Sequence, residues 1–588
     1  MLRLAAPMPL LVATLCAAAA LPSLLAFNVS PSPTFLNQAV AFAAWGLVAW
    51  AIALQRDGTG PSVQDLRRAA SALLPLGLVA LAAAWSGLAG ALPSSLALSA
   101  LGTLLAAMVL LVAGLVASRR AAVSAVFAAF CLAWVAAGVA NAGVAIVQVF
   151  APTWPDGDWI ARSGIPGRAV GNLRQPNHLS SLLMWSAIAV IGCLELRRLT
   201  ARVAAALMAL LVFAVVLTAS RTGVIGVVIL ALWALLDRRL SPSSRRILMA
   251  APVLYALAWA AMAAWAAAAQ ATFGGQARLA EPDLSASRFA IWADTLALIR
   301  AQPWTGVGFG EFNFAWTLSV MPHRPVAFFD HSHNLPLQLA AELGIPLALL
   351  VMGLLLAGLW RGFGVARRAM GDAGLATRCG LAMLVMIGLH SLLEYPLWYS
   401  YFLLPTAWVF GLVLGVPIAA EGEVDHAAAP QNGRRMLSIL AAMAVVAGAL
   451  ASVADYARVV AIFSAGDGAP PLQARIERGR QSVLFAHHAD YAAATVAERP
   501  GDELAAFGRA AHYLLDTRLL MGWARAFDEA GDRDRAQHLA QRLREFRNPQ
   551  SAAFLGECTA HQSQDPAQRP FQCTPPTASL GWRDFLPR

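Results

Sequence analysis

The sequence predicts an all-α, polytopic membrane protein, and three features of its composition support that prediction. Hydrophobic residues make up 59% of the 588 positions, charged residues make up only 13%, and the mean hydropathy is +0.60. Runs of roughly 20 residues rich in Ala, Leu and Val recur along the chain, and this is the length that a helix needs to cross a bilayer. A soluble chain of this size would carry more charge on its surface.

The apolar runs predict a bundle of about 13 membrane-spanning helices, followed by a polar C-terminal region. Their expected limits are 8–27, 36–54, 70–90, 97–117, 121–149, 178–195, 203–218, 222–236, 247–268, 335–359, 379–394, 396–416 and 437–455. The first run resembles a secretory signal peptide, but we interpret it as a retained helix. We therefore expect a membrane domain over 1–463 and a helical domain over 464–588.

The placement of arginine predicts how the helices are oriented. All 43 basic residues are arginine, and the short cytoplasmic loops of membrane proteins are enriched in positive charge. If the N-terminus is cytoplasmic, every later inside loop holds at least two arginines, whereas the outside turns at 28–35, 91–96 and 395 hold none. An odd number of spans then puts the C-terminal region outside. The net charge of +10 follows from this topology, and we expect no nucleic-acid partner.

Some arginines break this pattern because they fall in outside segments that precede the C-terminal region. They are Arg162, Arg168, Arg174, Arg221, Arg278, Arg288, Arg300 and Arg324. Arginine at a translocated membrane face is costly unless it is paired, so these residues are candidates for binding an anionic ligand. The alternative is that they brace the loops by pairing with carboxylates. The available carboxylates are Asp156, Asp158, Glu281, Asp283 and Asp294.

Two outside segments between spans carry polar motifs. The loop 151–177 ends in a series that contains Arg174, Gln175, Asn177 and His178 and runs directly into a span. Proline at a helix start is common, so Asn177 or His178 could simply cap this helix. The second motif, Ser220-Arg221-Thr222-Gly223, forms a tight turn between two spans.

The long outside loop 269–334 carries further candidates. Arg288 and Trp292 lie one helical turn apart. The glycines of Pro303–Gly310 permit backbone approach to a ligand, although a sharply turning loop would need them as well. The loop ends in Asp330-His331-Ser332-His333-Asn334. Two histidines beside an aspartate could bind a metal, but no third and fourth ligand is evident nearby, and a histidine could also cap the next helix.

His390 and Glu394 lie four residues apart near the outer end of a predicted span, just before Tyr395. Ionisable residues within a span are candidates for a functional role, and a mutual buried pair is the alternative interpretation.

In order and spacing, these motifs resemble those of the O-antigen ligase and polymerase superfamily, over roughly residues 20–420. The stretches Gln175–His178 and His331–Gln338 are similar to those of the protein O-oligosaccharyltransferases, the PglL-type pilin-glycosylation ligases. The resemblance implies a multi-pass protein of the bacterial inner membrane. It also implies periplasmic transfer of a glycan from undecaprenyl pyrophosphate to Ser or Thr hydroxyls of proteins such as pilin. The first outside turn, 28–35, lacks the histidine that the resemblance leads us to expect there.

The implied reaction fits the residue types. A diphosphate leaves readily and is stabilised by guanidinium groups, so we expect Arg221 and Arg288 to clamp it without a metal or cofactor. We expect His333 to be the base that accepts the hydroxyl proton, and the anomeric carbon to be inverted. Metal-dependent oligosaccharyltransferases use acidic residues in their first outside loop, and the turn 28–35 has none. The expected substrate-binding residues are Arg174, Gln175, Asn177, His178, Trp292, His331, Asn334, His390, Glu394 and Tyr395.

The C-terminal region begins with a linker at 464–470 and continues with polar helices. The pattern from Trp523 to Pro549 resembles a tetratricopeptide-type helical hairpin, which has to pack against another surface. Cys558 and Cys573 are the only cysteines outside the spans, and we expect them to form a disulfide in an oxidising periplasm.

Two other functions fit the same residues. A sibling enzyme would transfer the glycan to lipid A core, as an O-antigen ligase, or would extend it, as a polymerase. The large outside helical region favours a protein acceptor. A transporter of the lipid-linked glycan is less favoured, because we see no internal repeats and no broken mid-membrane helices.

Overall fold

A computed structural model describes residues 8–55, 61–119, 123–280, 284–321, 324–326, 328–416, 431–560 and 569–587. Within these ranges all regular structure is helical, and the prediction of an all-α fold is confirmed. The helices up to the long outside loop are α1 (Met8–Leu24), α2 (Phe35–Leu54), α3 (Val63–Leu88), α4 (Ser94–Ser118), α5 (Val123–Phe150), α6 (Pro176–Glu195), α7 (Ala201–Thr218), α8 (Arg221–Leu236) and α9 (Pro242–Ala269).

The second half of the chain is helical as well. Its helices are α10 (Gly274–Ala280), α11 (Leu284–Ala301), α12 (Phe312–Leu318), α13 (Leu335–Arg368), α14 (Gly371–Ser391), α15 (Ser400–Gly415), α16 (Gln431–Phe463), α17 (Leu472–Arg480), α18 (Ala486–Val496), α19 (Leu504–Ala511), α20 (Thr517–Glu529), α21 (Arg533–Phe546) and α22 (Ala552–Ala560). Short 3-10 turns occur at Pro396–Trp398, Pro500–Glu503, Pro549–Ser551, Phe571–Cys573 and Trp582–Phe585.

Ten of the described helices are long and apolar enough to cross a membrane. They are α2 to α7, α9, α13, α14 and α16. The three other predicted spans coincide with shorter apolar helices, namely α1, α8 and α15, of 17, 16 and 16 residues. The protein is therefore a polytopic helical membrane protein, and each predicted apolar run coincides with a helix.

The largest difference from the predicted elements lies in the outside loop 269–334, which contains the three helices α10, α11 and α12. Their hydrophobic faces are too short to resemble spans. The span predicted at 335–359 is also longer than expected, because α13 continues to Arg368 and is kinked at Gly344, whose φ is 77°.

The chain divides into two compact units. The first unit comprises Met1–Leu76, Leu105–Pro282 and Gly353–Ala451, and the second comprises Gly77–Leu104, Asp283–Met352 and Ser452–Arg588. Helix α6 is the central helix of the first unit, since 94% of its apolar window is buried. It packs against α5, α7, α8 and α14. Small residues permit this packing: a Cβ atom on Gly138 would lie 2.4 Å from Ser186 of α6.

Two arginines of the first unit hold helix ends in place. The Arg239 guanidinium donates to the backbone carbonyl of Ala369 at 3.1 Å, just after α13 ends. The Arg435 guanidinium donates to the carbonyls of Ala53 and Leu54 at the end of α2. Because the last carbonyls of a helix lack intrahelical partners, these arginines stabilise the helix termini.

The second unit contains a core formed by α12 and the C-terminal helices. Trp316 of α12 packs edge-on against Phe546 of α21, with ring centroids 5.5 Å apart. Helices α20 and α21 form a hairpin, and its turn contains Gly531 with a φ of 82°. The tetratricopeptide interpretation of this hairpin stays a prediction. Cys558 and Cys573 form a disulfide with their Cα atoms 5.1 Å apart.

Candidate active site

The predicted site residues fall in both units and form one cluster in each. The first unit holds Arg174, Gln175, Asn177, His178, Arg221, His390, Glu394 and Tyr395. The second unit holds Arg288, Trp292, His331, His333 and Asn334.

Gln175 is the N-cap of α6. Its side-chain oxygen accepts hydrogen bonds from the backbone N–H groups of Asn177 at 2.5 Å and His178 at 3.3 Å. Proline follows the cap, at the helix position where no N–H is needed. The alternative that Asn177 or His178 caps the helix is therefore wrong, and both of these side chains make other contacts.

Asn177 links three elements of the first unit. Its amide N–H donates to the Glu394 carboxylate at 2.9 Å, and its carbonyl oxygen accepts from the Ser220 hydroxyl at 2.6 Å. Ser220 in turn is the N-cap of α8, because its hydroxyl accepts from the backbone N–H of Gly223. Asn177, Ser220 and Glu394 are all buried. This buried chain fixes the start of α8 relative to α6.

Arg221 is the first residue of α8, next to this hydrogen-bonded chain. Its side chain is exposed, and it has no hydrogen-bond or ion-pair partner within the described ranges. The unpaired N–H groups at a helix start carry a partial positive charge, which adds to the charge of the guanidinium. The geometry thus presents a cation on a rigid helix terminus.

His178 and His390 lie at the centre of an aromatic cluster. Nδ1 of His178 lies 3.1 Å from the Tyr401 hydroxyl, and its ring lies 4.6 Å from the ring of Tyr399. Nδ1 of His390 lies 2.8 Å from the Ser181 hydroxyl. His390 thus contacts Ser181 of α6, whereas Glu394 contacts Asn177 of the same helix.

Tyr395 continues the aromatic cluster towards the surface. Its ring stacks with the ring of Tyr399 at 6.1 Å, next to the 3-10 turn Pro396–Trp398. Tyr395, Trp398 and Tyr399 are all half-buried. This part of the first unit therefore offers aromatic faces beside the buried polar chain.

Arg174 braces a loop. Its guanidinium donates to the backbone carbonyl of Ala26 at 2.6 Å, just before the first outside turn, and to that of Pro33 at 3.1 Å, within the turn. Arg162 and Arg168 likewise donate to the carbonyls of Pro155 and Thr218. These arginines therefore donate to backbone carbonyls of the loops, and their pairing with carboxylates stays a prediction. Glu281 and Asp283 lie outside the described residues.

The histidines of the second unit sit in a short ordered segment ahead of α13. Nδ1 of His331 lies 3.1 Å from the Asp330 carboxylate. Partial desolvation raises the pKa of Asp330, but interactions with His331 and His333 lower that pKa to about 2. The carboxylate is therefore ionised at neutral pH, and it lies close to the imidazole of His331.

His333 follows in a left-handed backbone conformation, with a φ of 55°. Such a conformation is uncommon for a residue with a side chain and is held by its surroundings. The Ser332 hydroxyl donates to the Asn334 carbonyl at 3.0 Å, and the Trp292 indole N–H donates to the Ser332 carbonyl at 3.0 Å. The ring of Phe329 lies edge-on to His333 at 5.3 Å.

Asn334 and Gln338 connect this segment to α13. The Asn334 side chain accepts from the backbone N–H of Leu337 at 3.1 Å, so Asn334 caps the helix. The Gln338 side chain accepts from the backbone N–H of Ser332 at 2.7 Å and donates to Glu342 at 3.0 Å. The alternative that a histidine caps α13 is wrong.

The glycines of Pro303–Gly310 allow a close approach to α13. A Cβ atom on Gly306 would lie 2.4 Å from the backbone of Glu342, and the backbone N–H of Gly308 donates to the Glu342 carbonyl at 3.0 Å. The Gly306 φ is 67°. The backbone that these two glycines approach belongs to α13 itself.

Arg288 and Trp292 lie one turn apart on α11, and Arg288 is half-buried. The Trp292 indole N–H donates to the segment that holds the histidines. The described residues contain no group of three or more His, Cys, Asp or Glu side chains that could hold a metal ion. Metal independence itself stays a prediction.

Several residues in these clusters were missed as site candidates. Ser220, Gln338 and Glu342 lie within or next to motifs that the sequence singles out, so their proximity could have been inferred. Ser181 and Tyr401 have no such signal, because they meet the histidines only through the packing of α14 against α6 and of α15 against α14.

Three family models match separate parts of the chain. Residues 206–352 match the O-antigen ligase model, and residues 379–555 match the C-terminal model of the virulence factor membrane-bound polymerases. Residues 169–191 match the protein glycosylation ligase model.

Two curated relatives come from Acinetobacter baylyi. The chain is 28% identical over 284 residues to a ComP-specific O-oligosaccharyltransferase. The aligned region covers 46% of this chain and 47% of the relative. The chain is 28% identical over 262 residues to a general O-oligosaccharyltransferase, with coverage of 42% and 44%. The chain thus spans less than half the length of the relatives it matches. These matches confirm the resemblance of the chain to the O-oligosaccharyltransferases of the O-antigen ligase superfamily.

Proposed function

We propose that this protein is a glycosyltransferase that moves a glycan from undecaprenyl pyrophosphate to Ser or Thr hydroxyls of periplasmic proteins such as pilin. One observation carries most of the weight: the O-antigen ligase match over 206–352 includes Arg221, Arg288 and His333, the three expected catalytic residues. The two relatives named as O-oligosaccharyltransferases favour a protein acceptor.

Arg221 and Arg288 are proposed to stabilise the departing diphosphate. Arg221 is suited to this role because it is exposed on a helix start that the chain Glu394–Asn177–Ser220 holds in place. A preorganised cation costs no reorganisation when negative charge develops, and guanidinium binds phosphate oxygens in pairs.

His333 is proposed to accept the proton of the acceptor hydroxyl. As that proton leaves, the hydroxyl oxygen forms a bond to the anomeric carbon from the face opposite the diphosphate. The bond between that carbon and the phosphate oxygen breaks, and its electron pair departs with the diphosphate, so the configuration is inverted. His331, held by Asp330 at 3.1 Å, is proposed to position the sugar together with Asn334.

The protein is proposed to lie in the bacterial inner membrane, with its N-terminus in the cytoplasm and its C-terminal helices in the periplasm. The arginine-rich inside loops and the arginine-free turns at 28–35 and 91–96 support this orientation. The disulfide between Cys558 and Cys573 fits an oxidising compartment.

A second candidate function is transfer to lipid A core, or extension of the glycan. It is favoured by the names of the two longer family matches, which refer to O-antigen ligases and to polymerases. The helices that follow Phe463 favour the protein acceptor, because transfer to a lipid has less use for a large outside helical region.

The test is expression in a bacterial host that lacks its own ligase, makes a lipid-linked glycan and also produces pilin. Mass spectrometry would follow pilin and lipid A separately, with His333→Ala as the inactive control. We expect a glycan mass on pilin that requires His333. A glycan found on lipid A alone would establish the second candidate, and no glycan on either acceptor would refute the proposal.

A further inference from the structure

The first unit contains a second feature that the transfer reaction does not use. A cavity of about 430 Å³ lies between the last turns of α2, the start of α3, the second half of α4 and the start of α16. Its wall is formed by side chains such as Ile52, Leu66, Val109 and Val112, and its volume is within the range of ligand pockets. Among the described lining residues, only Arg434, Arg435 and Ser438 are polar.

The two arginines at this cavity differ in their contacts. Arg435 donates to the carbonyls of Ala53 and Leu54, so its guanidinium is already engaged at the end of α2. The Arg434 side chain lines the cavity and is exposed. It has no side-chain partner within the described ranges. The Arg434 guanidinium is thus available to a ligand in a mostly apolar cavity.

The surroundings of the cavity carry a net positive charge. The nearest acidic residue on α3, Asp65, forms an ion pair with Arg119 and also accepts from the backbone N–H of Ser62. Arg67 and Arg68 follow the lining residue Leu66 on the same helix. A ligand that brings negative charge to this end is therefore favoured by electrostatics.

We propose that this cavity binds one anionic phospholipid, with an acyl chain against the apolar wall and the headgroup phosphate on Arg434. The cavity is formed by parts of four apolar helices, and all four are long and apolar enough to cross a membrane. An acyl chain gains free energy by filling an apolar wall, and basic residues at helix ends bind anionic headgroups. A soluble anion would use the arginine but would leave the apolar wall empty.

The experiment uses the full chain exchanged into mixed micelles that contain equal amounts of phosphatidylglycerol and phosphatidylcholine, followed by native mass spectrometry. We expect the protein to retain about one phosphatidylglycerol in preference to phosphatidylcholine. In Arg434→Gln that retention should fall about fivefold, the factor that corresponds to one basic residue at an anionic headgroup. Retention of phosphatidylcholine should be unchanged.

Two further variants separate the apolar wall from the charge. Val112→Trp fills the cavity and should lower retention of both lipids. Arg202→Gln is the matched control, since Arg202 is an exposed arginine in the first turn of α7 and does not line the cavity. Equal retention of both lipids by the native protein would overturn the proposal, as would an equal effect of Arg434→Gln and Arg202→Gln. A dimer that dissociates in Arg434→Gln would assign the cavity to a second copy of the chain and would also overturn it.

Discussion

The side-chain amide of Asn177 donates a 2.9 Å hydrogen bond to the carboxylate of Glu394, and both residues are buried. This bond joins the first turn of α6 to the segment that follows α14, and the two residues are 217 positions apart in the sequence. Because the Asn177 carbonyl also accepts from Ser220, a change at Glu394 can reach the start of α8 and Arg221 without touching either one.

Loss of the Glu394 carboxylate should therefore impair transfer through the position of Arg221. In Glu394→Ala the Asn177 amide loses its acceptor, and a buried unsatisfied donor costs about 1–3 kcal/mol. We expect the transfer rate to fall at least about tenfold, while Glu394→Gln, which keeps a carbonyl acceptor, should retain more activity. Initial rates with purified protein would measure this.

The control for that variant is Asn141→Ala. Asn141 is a buried amide on α5 that donates to Ser23 and to the Ala137 carbonyl, neither of which is a candidate site residue. Asn141→Ala should lower the thermal unfolding temperature by about as much as Glu394→Ala does. It should leave the rate of transfer by the folded protein unchanged. Equal loss of activity in both variants would assign Glu394 a purely structural role.

The two histidines of the second unit should differ in their effect on catalysis. His333→Ala should abolish transfer at an unchanged protein level, because the proposed base is lost, whereas His331→Ala should keep measurable activity. The ionised Asp330 contacts His331 directly, so Asp330→Asn should resemble His331→Ala. Transfer from purified lipid-linked glycan would compare them. Full activity in both alanine variants would refute the histidine-base mechanism, and loss confined to His331→Ala would move the base to His331.

Arg324 should be essential for the stability of the second unit. Its Nε lies 3.1 Å from the Glu545 carboxylate, its guanidinium donates to the Trp316 carbonyl at 3.0 Å, and it stacks over the ring of Phe546. Its side chain is only 1% exposed. Removal of one partner from a buried ion pair costs about 3–5 kcal/mol.

We therefore expect Arg324→Ala to expose the C-terminal helices to limited proteolysis and to lower the unfolding temperature. Arg478→Ala, at an exposed arginine of α17, is the matched control and should leave both measurements unchanged. Protease resistance in Arg324→Ala equal to that of the control would show that the ion pair contributes little.

The sequence predicts those structural features of this protein that are determined by residues close together in the chain. Apolar runs and arginine placement identify the spanning helices, because a bilayer imposes length and charge rules on each segment separately. They do not identify α12, which is helical because Phe312 and Trp316 are buried in the core of the second unit. Packing against residues distant in the sequence therefore determines that α12 is helical.

The same distinction applies to the candidate site. The charge pattern singled out Arg174, Arg221 and Arg324 alike, yet Arg174 and Arg324 hydrogen-bond to backbone carbonyls. An arginine braces a loop when its guanidinium meets backbone carbonyls that are distant in sequence. The residues next to the arginine do not indicate where those carbonyls lie. For the same reason the contact of His178 with Tyr401 was not predicted.

Acidification should weaken the second unit through His538. Its Nε2 lies 2.8 Å from the Leu318 carbonyl, and burial, followed by the charge of Arg542, lowers the pKa of His538 to about 4. An unfolded histidine titrates near 6.5, so the folded state binds fewer protons between the two values. Stability is therefore complete above pH 6.5 and falls as the pH drops towards 4, by up to about 3 kcal/mol.

Unfolding temperatures measured from pH 7.5 to 4.5 would test this, with His538→Gln as the comparison because glutamine does not titrate. Other buried histidines of the same unit, such as His488, also have a lowered pKa, so the difference between the two proteins is the relevant quantity. We expect the variant to lose less stability on acidification. Parallel curves would contradict the assignment to His538.

The central claim is that arginine side chains, without a metal ion, stabilise the departing diphosphate. The most direct measurement is transfer from purified lipid-linked glycan in the presence of EDTA, comparing the native protein with Arg221→Lys and Arg288→Lys. We expect native activity to survive EDTA and each lysine variant to be slowed at least about tenfold, because lysine keeps the charge but loses the paired hydrogen bonds. Loss of native activity in EDTA that magnesium or manganese restores would contradict the claim, and full activity in both lysine variants would contradict the role of the guanidinium groups.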